Sequence, residues 1–143
     1  MARTKIELPA TFAFSTLIPV RIKDINYGGH VGNDTVLSII HEARLQFLHQ
    51  HGYTEMNLGG NGMIMSDVAI EFKNELFYGD VLKVSVAIAE ISKVSFALYY
   101  KLEKTNEDKQ VLVAAARTGM VCYNYTAKKI ASFPEDAKAR FSL

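Results

Sequence analysis

The sequence predicts an α+β fold in which an antiparallel sheet of about five strands wraps around one long helix. The first observation is a stretch of helical apolar periodicity that begins near position 33 and ends near position 51. The second is a series of three consecutive stretches after position 66 in which apolar residues alternate with other residues, followed by a fourth stretch that is apolar on both faces. A strand-like stretch before the helix supplies the fifth strand. Curling the sheet around the helix buries the apolar faces of all these elements.

The first two elements are a strand over residues 12–22 and a helix that begins at Asn33 or Asp34. Either side chain is suited to cap a helix N-terminus. We expect the helix to end near Gly52, because glycine readily adopts the left-handed conformation there. Apolar residues recur along it at steps of three and four and nearly encircle it, which predicts burial against a sheet; they are Val36, Leu37, Ile39, Ile40, Ala43, Leu45, Phe47 and Leu48.

The second half of the chain is predicted to form four strands. Residues 67–73, 82–89 and 96–103 alternate in polarity, so each of these strands has one apolar face. Residues 111–125 are apolar on both faces as far as position 116, which is typical of a central strand. The polar residues 105–109 are expected to form a turn, and residues 134–139 a terminal helical turn.

Length and composition limit the class of protein. With 143 residues we expect a single domain over residues 1–143. Lysine and arginine, 16 in total, nearly balance 15 acidic residues without a basic cluster, so no nucleic-acid partner is expected. The first seven residues lack the apolar stretch of a signal peptide, and no segment resembles a membrane span. We therefore expect a cytoplasmic protein with no membrane association.

Cys122 is the only cysteine, and it lies in an apolar stretch without a basic neighbour. A disulfide within the chain and a thiolate-rich metal site are excluded, and we expect an inert thiol in the core. An open sheet also leaves edge strands exposed. We therefore expect a homo-oligomer, either a symmetric dimer that continues the sheet or a dimer of such dimers.

Chemistry is expected in the loop between the first strand and the helix. Glycines there allow the backbone to approach a ligand closely, and the helix that follows directs unpaired N–H groups at the same place. Such a place favours a negative charge that develops during a reaction. The polar side chains of this loop belong to Asp24, Asn26, His30, Asn33 and Asp34.

This loop resembles that of the hotdog-fold thioesterases related to 4-hydroxybenzoyl-CoA thioesterase. The family pattern D-x-D-x-x-G-H-V-N-N, followed on the helix by E-A-R, corresponds to DINYGGHVGN at residues 24–33 and EAR at residues 42–44. A weaker likeness to Y-G-D-x-L-x-V lies at residues 78–84. The resemblance covers nearly the whole chain. It implies a hotdog fold and hydrolysis of an acyl-CoA substrate to free acid and CoA, without a metal or redox cofactor.

Two departures from the family pattern concern the mechanism. The carboxylate that the family uses to attack the thioester or to activate water corresponds to Asn26, whose amide cannot accept a proton at neutral pH. Gly32 stands where the family has asparagine. The resemblance assigns the oxyanion donor to the backbone N–H of Asn33. As candidate catalytic residues we take Asn26, His30, Asn33 and Asp34, and as candidate substrate-binding residues Asp24, Tyr27, Gly29 and Gly32.

The sequence leaves several alternatives open. Asp34, Asp24 or His30 is a candidate general base, but the same residues also suit a helix cap, a turn and a backbone hydrogen bond. Glu42 and Arg44 are expected to bond to the sheet or across an interface. The cations that hold the CoA phosphates are open among Lys23, Lys73, Lys101 and Arg117.

The function is likewise open among three hypotheses. The leading hypothesis is thioester hydrolysis. The alternative is a non-catalytic acyl-thioester binding protein that has lost its carboxylate at Asn26. A hydratase or dehydratase on the same fold ranks last, because its acid and histidine would have to share one loop at a closer spacing than Asp24 and His30.

Overall fold

The computed structural model describes residues 3–141. Six strands in this part of the chain form one antiparallel sheet in the order β1-β3-β4-β5-β2, with the short β6 beside β5. The predicted fold class, an antiparallel sheet around one long helix, is confirmed. In chain order the elements are β1 (Phe14–Pro19), a 3₁₀ turn (Ile22–Asp24), α1 (Asn33–Gln50), β2 (Gly62–Phe72), β3 (Val81–Ala89), β4 (Ser95–Asn106), β5 (Lys109–Asn124), β6 (Lys129–Ile130) and α2 (Glu135–Arg140).

The core lies between α1 and one face of the sheet. The helix buries most of its apolar residues, and alternate residues of β3, β4 and β5 meet them from the sheet. The prediction that β5 is central is confirmed, because β4 pairs along one side of it and β2 along the other. Its neighbour β4 reaches it through a tight turn in which Glu107 and Asp108 have φ angles of 50° and 66°. The predicted turn over residues 105–109 is therefore confirmed.

The start of α1 differs from the prediction. Neither Asn33 nor Asp34 is the N-cap residue; Gly32 occupies that position, with φ of −77° and ψ of 162°, and no side chain caps the helix. The reason is that the chain is already helical at Asn33, so the extended backbone that a cap requires falls one residue earlier. The predicted end of the helix is confirmed, because Gly52 has φ of +82° directly after the C-cap residue His51.

The edge strands also differ from the prediction. The strand β2 begins at Gly62 rather than residue 67, and a bulge between Met65 and Asp67 shifts its alternation. Its apolar residues Val68 and Phe72 stay 39% and 42% exposed, because β2 ends the sheet. The strand β1 is shorter than predicted, since the chain turns into a 3₁₀ helix at Ile22.

Neither α1 nor α2, the two α-helices among residues 3–141, is long and apolar enough to span a membrane.

A buried ion pair joins α1 to the segment that follows it and to the sheet. Arg44, only 5% exposed, donates from Nε to Glu55 Oε2 at 2.8 Å and from Nη1 to the Tyr100 hydroxyl at 3.2 Å. The Tyr100 hydroxyl lies 2.8 Å from Thr118 Oγ1, so the chain of hydrogen bonds crosses from β4 to β5. The expectation of a bond to the sheet is confirmed for Arg44, whereas Glu42 accepts a hydrogen bond from Gln46 of the same helix.

We expect Glu55→Ala to lower the free energy of unfolding by about 2 kcal/mol, because it leaves the buried Arg44 guanidinium without its carboxylate. Urea unfolding followed by circular dichroism measures this change. The matched control is Glu135→Ala, which removes the exposed Glu135–Lys138 pair and should change the stability little. Equal effects of the two substitutions would contradict a structural role for Arg44.

The same carboxylate predicts a pH dependence. Burial raises the pKa of Glu55, but hydrogen bonds from His41 and Arg44, with their charges, outweigh burial and hold its pKa below the ordinary value. A carboxyl group with a lowered pKa stabilises the fold above its unfolded-state pKa and loses this contribution as the pH falls through its folded-state pKa. The stability difference between wild type and Glu55→Ala should therefore be full above pH 4.5 and shrink below it.

Candidate active site

A cavity of about 730 Å³ opens beside the first turn of α1. One wall comes from the loop before the helix, and the other from the segment that follows β2. Five of the eight predicted site residues line it. The lining consists of Asn26, residues 30–34, Val36, residues 72–76 and Val113.

Asn26 makes several hydrogen bonds within the loop before α1. The N–H of Asn26 donates to the His30 carbonyl at 3.0 Å, and the N–H of Gly29 donates to the Asn26 carbonyl at 3.1 Å. The Asn26 side chain accepts a hydrogen bond from the N–H of Gly28 at 2.9 Å. Gly29 has φ of +80°, which favours glycine. These bonds fix the position of the Asn26 amide.

The loop is also joined to the opposite wall of the cavity. The N–H of Val31 donates to the carbonyl of Leu76 at 2.9 Å, and His30 forms an antiparallel bridge with Phe77. The segment after β2 is thereby held against the start of α1. As a result, the cavity has two walls of fixed separation.

The first turn of α1 exposes backbone donors to this cavity. The hydrogen bond at the start of the helix runs from the N–H of Val36 to the carbonyl of Gly32 at 3.2 Å. The N–H groups of residues 33–35 come before it and have no carbonyl within the helix to which they could donate. Asn33 and Asp34 are exposed and line the cavity. These donors and the helix dipole give this wall a positive potential.

His30 lies at the rim of the cavity. Its ring packs over Gly28, where a Cβ atom would meet His30 Nε2 at 3.0 Å. Its Nδ1 atom lies 3.5 Å from the carbonyl oxygen of Val31, which is too long for a strong hydrogen bond. The ring is therefore held by packing more than by hydrogen bonding.

Three predicted substrate-binding residues lie away from this cavity. Asp24 is buried, and its carboxylate accepts a hydrogen bond from the N–H of Arg21 at 2.8 Å. It lines a second cavity of about 350 Å³ between β1 and α1. Tyr27 is fully exposed and Gly29 faces open space, so both lie on the outside of the loop. The structure therefore gives Asp24 a role in fixing the turn, because its bond closes the 3₁₀ segment.

Sequence reasoning missed the wall formed by the segment after β2. Asn74, Glu75, Leu76 and Val113 line the cavity, although no motif marked them. For residues 74–76 the sequence signal was their position between the end of a strand and the segment Tyr78-Gly79-Asp80 that resembles the family, whereas Val113 lies on β5. Their contact with the loop depends on long-range pairing, which periodicity does not reveal.

Of the four cations considered for CoA phosphates, Lys73 alone lines the cavity. Its Nζ atom lies 2.8 Å from Glu71 Oε2. Lys101 pairs with Glu103 at 3.7 Å, and Arg117 pairs with Glu90 at 2.8 Å. Lys73 is therefore the candidate cation that the structure places at this cavity.

An open first helical turn, facing a cavity on a sheet that wraps the helix, defines a hotdog-fold protein with a ligand site at its helix N-terminus. Residues 20–141 match the family model described as the Thioesterase-like superfamily. The chain belongs to this family.

Individual relatives agree with this assignment. The chain is 29% identical over 122 residues to 1,4-dihydroxy-2-naphthoyl-CoA hydrolase of Microcystis aeruginosa, a match that covers 83% of this chain and 86% of that protein. A 1,4-dihydroxy-2-naphthoyl-CoA thioesterase from Synechocystis superposes with a TM-score of 0.77 at 24% identity, over 90% of this chain and 94% of that one. A mutant 4-hydroxybenzoyl CoA thioesterase complexed with 4-hydroxybenzoyl CoA gives a TM-score of 0.82 at 18% identity, over 90% and 98% of the two chains. The predicted family, fold and enzyme class, a thioester hydrolase, are confirmed.

Cys122 is fully buried, and burial raises the pKa of its thiol to about 11. We expect native protein not to react with Ellman's reagent at pH 8, because only about one thiol in a thousand is ionised there. One equivalent per chain should react after denaturation in guanidinium chloride. Cys122→Ala should keep full enzymatic activity. Rapid stoichiometric labelling of the native protein would contradict the burial of this thiol.

Proposed function

We propose that this protein hydrolyses an acyl-CoA thioester at the cavity beside α1. The observation that carries the proposal is the exposed first turn of the helix, whose backbone donors face a cavity that also contains the Asp34 carboxylate. The carbonyl oxygen of the substrate lies against the N–H of Asn33. Water adds to the carbonyl carbon, the oxygen becomes an oxyanion, and the C–S bond then breaks to release CoA.

The exposed N–H groups account for much of the catalysis. A donor that is fixed before the reaction stabilises the oxyanion without reorganisation, and losing one such donor typically costs a factor of about 10²–10³ in kcat. The donor belongs to the main chain, so the side chain at position 33 need not take part. Rigid packing of α1 keeps the donor in place.

The cavity would hold the acyl group against its apolar lining and CoA beside Lys73. Its apolar lining comes from Val31, Val36, Phe72, Leu76 and Val113. Lys73, on the same cavity, is the proposed contact for a CoA phosphate. The named substrates of the relatives are aromatic acyl-CoA molecules, so we propose aromatic acyl-CoA thioesters as the first substrates to test.

We also propose a homodimer that forms through β2. This strand of 11 residues ends the sheet, so its outer side offers backbone groups to another strand. Exposed apolar side chains accompany it at Ile64, Met65, Val68 and Phe72. Phe72 also lines the cavity, and a partner along β2 would therefore cover that wall. A dimer of dimers stays a prediction.

We propose that the protein acts in the cytoplasm. A lone buried cysteine without a disulfide partner fits a reducing compartment.

The second candidate function, a non-catalytic acyl-thioester binding protein, is favoured by one observation. Asn26 lines the cavity where the family pattern has a carboxylate, and an amide cannot act as a base. Release of CoA by the purified protein distinguishes the two candidates.

We expect the protein to release free thiol from at least one of benzoyl-CoA, 4-hydroxybenzoyl-CoA, acetyl-CoA and palmitoyl-CoA, measured with Ellman's reagent. Asn33→Pro should lower kcat by a factor of about 10²–10³, because proline removes the backbone donor. Proline is tolerated at the first helical position, and Gly32 already has the extended conformation that a following proline requires.

Asn33→Ala is the matched control, because it keeps the N–H group and should keep the activity. Binding of these thioesters in calorimetry without thiol release would identify the non-catalytic alternative. Similar rates for Asn33→Pro and Asn33→Ala would contradict the proposal that the backbone N–H of Asn33 binds the oxyanion.

For the dimer, we expect light scattering after size exclusion to give twice the chain mass of 15.9 kDa. Val68→Glu on β2 should yield monomers, because it places a charge in the proposed interface. Leu17→Glu is the control, since Leu17 is also exposed but lies on β1 at the other edge of the sheet. A monomeric wild type, or dissociation by Leu17→Glu alone, would contradict this arrangement.

A further inference from the structure

We infer that the carboxylate of Asp34 is the general base of the reaction, that Gly32 provides the room for it, and that Asn26 is a positioning residue. This inference rests on the proposed hydrolysis and specifies its mechanism. Relative to the family pattern, the carboxylate has moved from position 26 in the loop to position 34 on the helix. The two departures from the pattern, at positions 26 and 32, thereby have a common cause.

The Asp34 side chain folds back toward the start of the helix. Asp34 is the second residue of α1, and a Cβ atom at Gly32 would lie 2.9 Å from Asp34 Oδ1. The carboxylate therefore lies over the N-cap residue, beside the exposed donors of the first turn. It is exposed and lines the cavity, so water can reach it.

Gly32 leaves the space that this position of the carboxylate uses. A contact of 2.9 Å is shorter than a real Cβ atom makes, so any side chain at position 32 would displace Asp34 Oδ1. The φ angle of Gly32 is −77°, which any residue can adopt. The glycine is therefore explained by space rather than by backbone conformation.

Asn26 also lies beside Gly32. Its Nδ2 atom is 3.6 Å from the Cβ position at Gly32, while its Oδ1 atom accepts the hydrogen bond from Gly28. The amide therefore turns its donor side toward the region that the Asp34 carboxylate occupies. An aspartate at position 26 would instead place a second negative charge there, and like charges so close disfavour ionisation of both groups. An amide at position 26 suits a carboxylate at position 34.

The other titratable side chains fit the role of base less well. The Asp24 carboxylate is buried, bonded to the N–H of Arg21, and lies outside the cavity. The His30 ring packs over Gly28 at the rim. Glu75 lines the cavity, but it belongs to the wall after β2, opposite the helix turn. Asp34 alone combines a carboxylate with the first turn that carries the oxyanion donors.

The proposed reaction needs no reactant besides the thioester and water. Asp34 takes a proton from a water molecule, whose oxygen forms a bond with the thioester carbon while the carbonyl electron pair moves to the oxygen. The oxyanion is held by the N–H groups of the first turn. Its collapse breaks the C–S bond, and the CoA thiolate takes the proton from the Asp34 carboxylic acid. The carboxylate is thereby regenerated for the next turnover.

The test measures thiol release by wild type and variants with 4-hydroxybenzoyl-CoA, or with whichever of the four thioesters the wild type hydrolyses fastest. We expect Asp34→Asn to lower kcat by a factor of about 10²–10⁴ while KM changes far less. The fall in the rate of the wild type at acid pH should be absent from the residual activity of Asp34→Asn. Glu42→Gln is the matched control, because Glu42 is a carboxylate on the same helix that accepts from Gln46 and lies outside this cavity.

Two further variants test the roles of Gly32 and Asn26. Gly32→Ala should lower kcat by a factor of about 10 or more, and should cost little further activity when combined with Asp34→Asn, since both act on one carboxylate. Asn26→Asp in the Asp34→Asn background should restore part of the lost activity, because it returns a carboxylate to the cavity. Thermal unfolding identifies any variant whose loss of activity reflects loss of the fold.

The outcomes separate this inference from the proposed function. An active wild type whose kcat survives Asp34→Asn, or falls with Glu75→Gln instead, would overturn the role of Asp34 and leave the hydrolase intact. Independent, additive losses from Gly32→Ala and Asp34→Asn would overturn the role of Gly32. A wild type that releases no thiol from any of the four thioesters would overturn the hydrolase, and this inference with it.

Discussion

Packing of α1 against the sheet determines where the candidate active site lies. Val36, Ile40, Ala43, Phe47 and Leu48 are all buried, so the helix cannot slide or rotate without exposing apolar surface. A fixed helix has a fixed first turn, and the loop before it is held to the opposite wall by the bond between Val31 and Leu76. The position of the backbone donors is therefore a consequence of core packing.

The electrostatic potential in the cavity follows from the position of these backbone donors. The exposed N–H groups give the wall at Asn33 a positive potential, which favours both an oxyanion and a nearby carboxylate. The two negative charges are not present together, because a carboxylate that has accepted a proton from water is neutral when the oxyanion forms. A glycine at position 32 and an amide at position 26 are consistent with one carboxylate at this site. The loop thus keeps the charge of the family pattern while changing the residue that carries it.

Much of the fold could be predicted from the sequence, because helix α1 and strand β5 carry patterns that match their burial. The N-cap at Gly32 could not be predicted, since it depends on where the loop leaves the extended conformation. The exposure of Val68 and Phe72 could not be predicted either. Periodicity shows that a strand has an apolar face, but it does not show where the strand lies in the sheet. Residues 30–34 of the site lie in one sequence motif and could be predicted from it. Residues 72–76 are brought to the site only by long-range pairing.

The proposed hydrolysis depends on polarisation of the carbonyl group of a bound thioester by the first turn of α1. The most direct measurement is the ¹³C NMR shift of carbonyl-labelled 4-hydroxybenzoyl-CoA bound to the Asp34→Asn variant, which should turn the substrate over slowly enough for the complex to be observed. We predict that the carbonyl resonance moves downfield from its position in free substrate, as hydrogen bonding withdraws electrons from the carbon. A bound thioester whose carbonyl resonance stays at its free position would contradict polarisation by the first turn of α1.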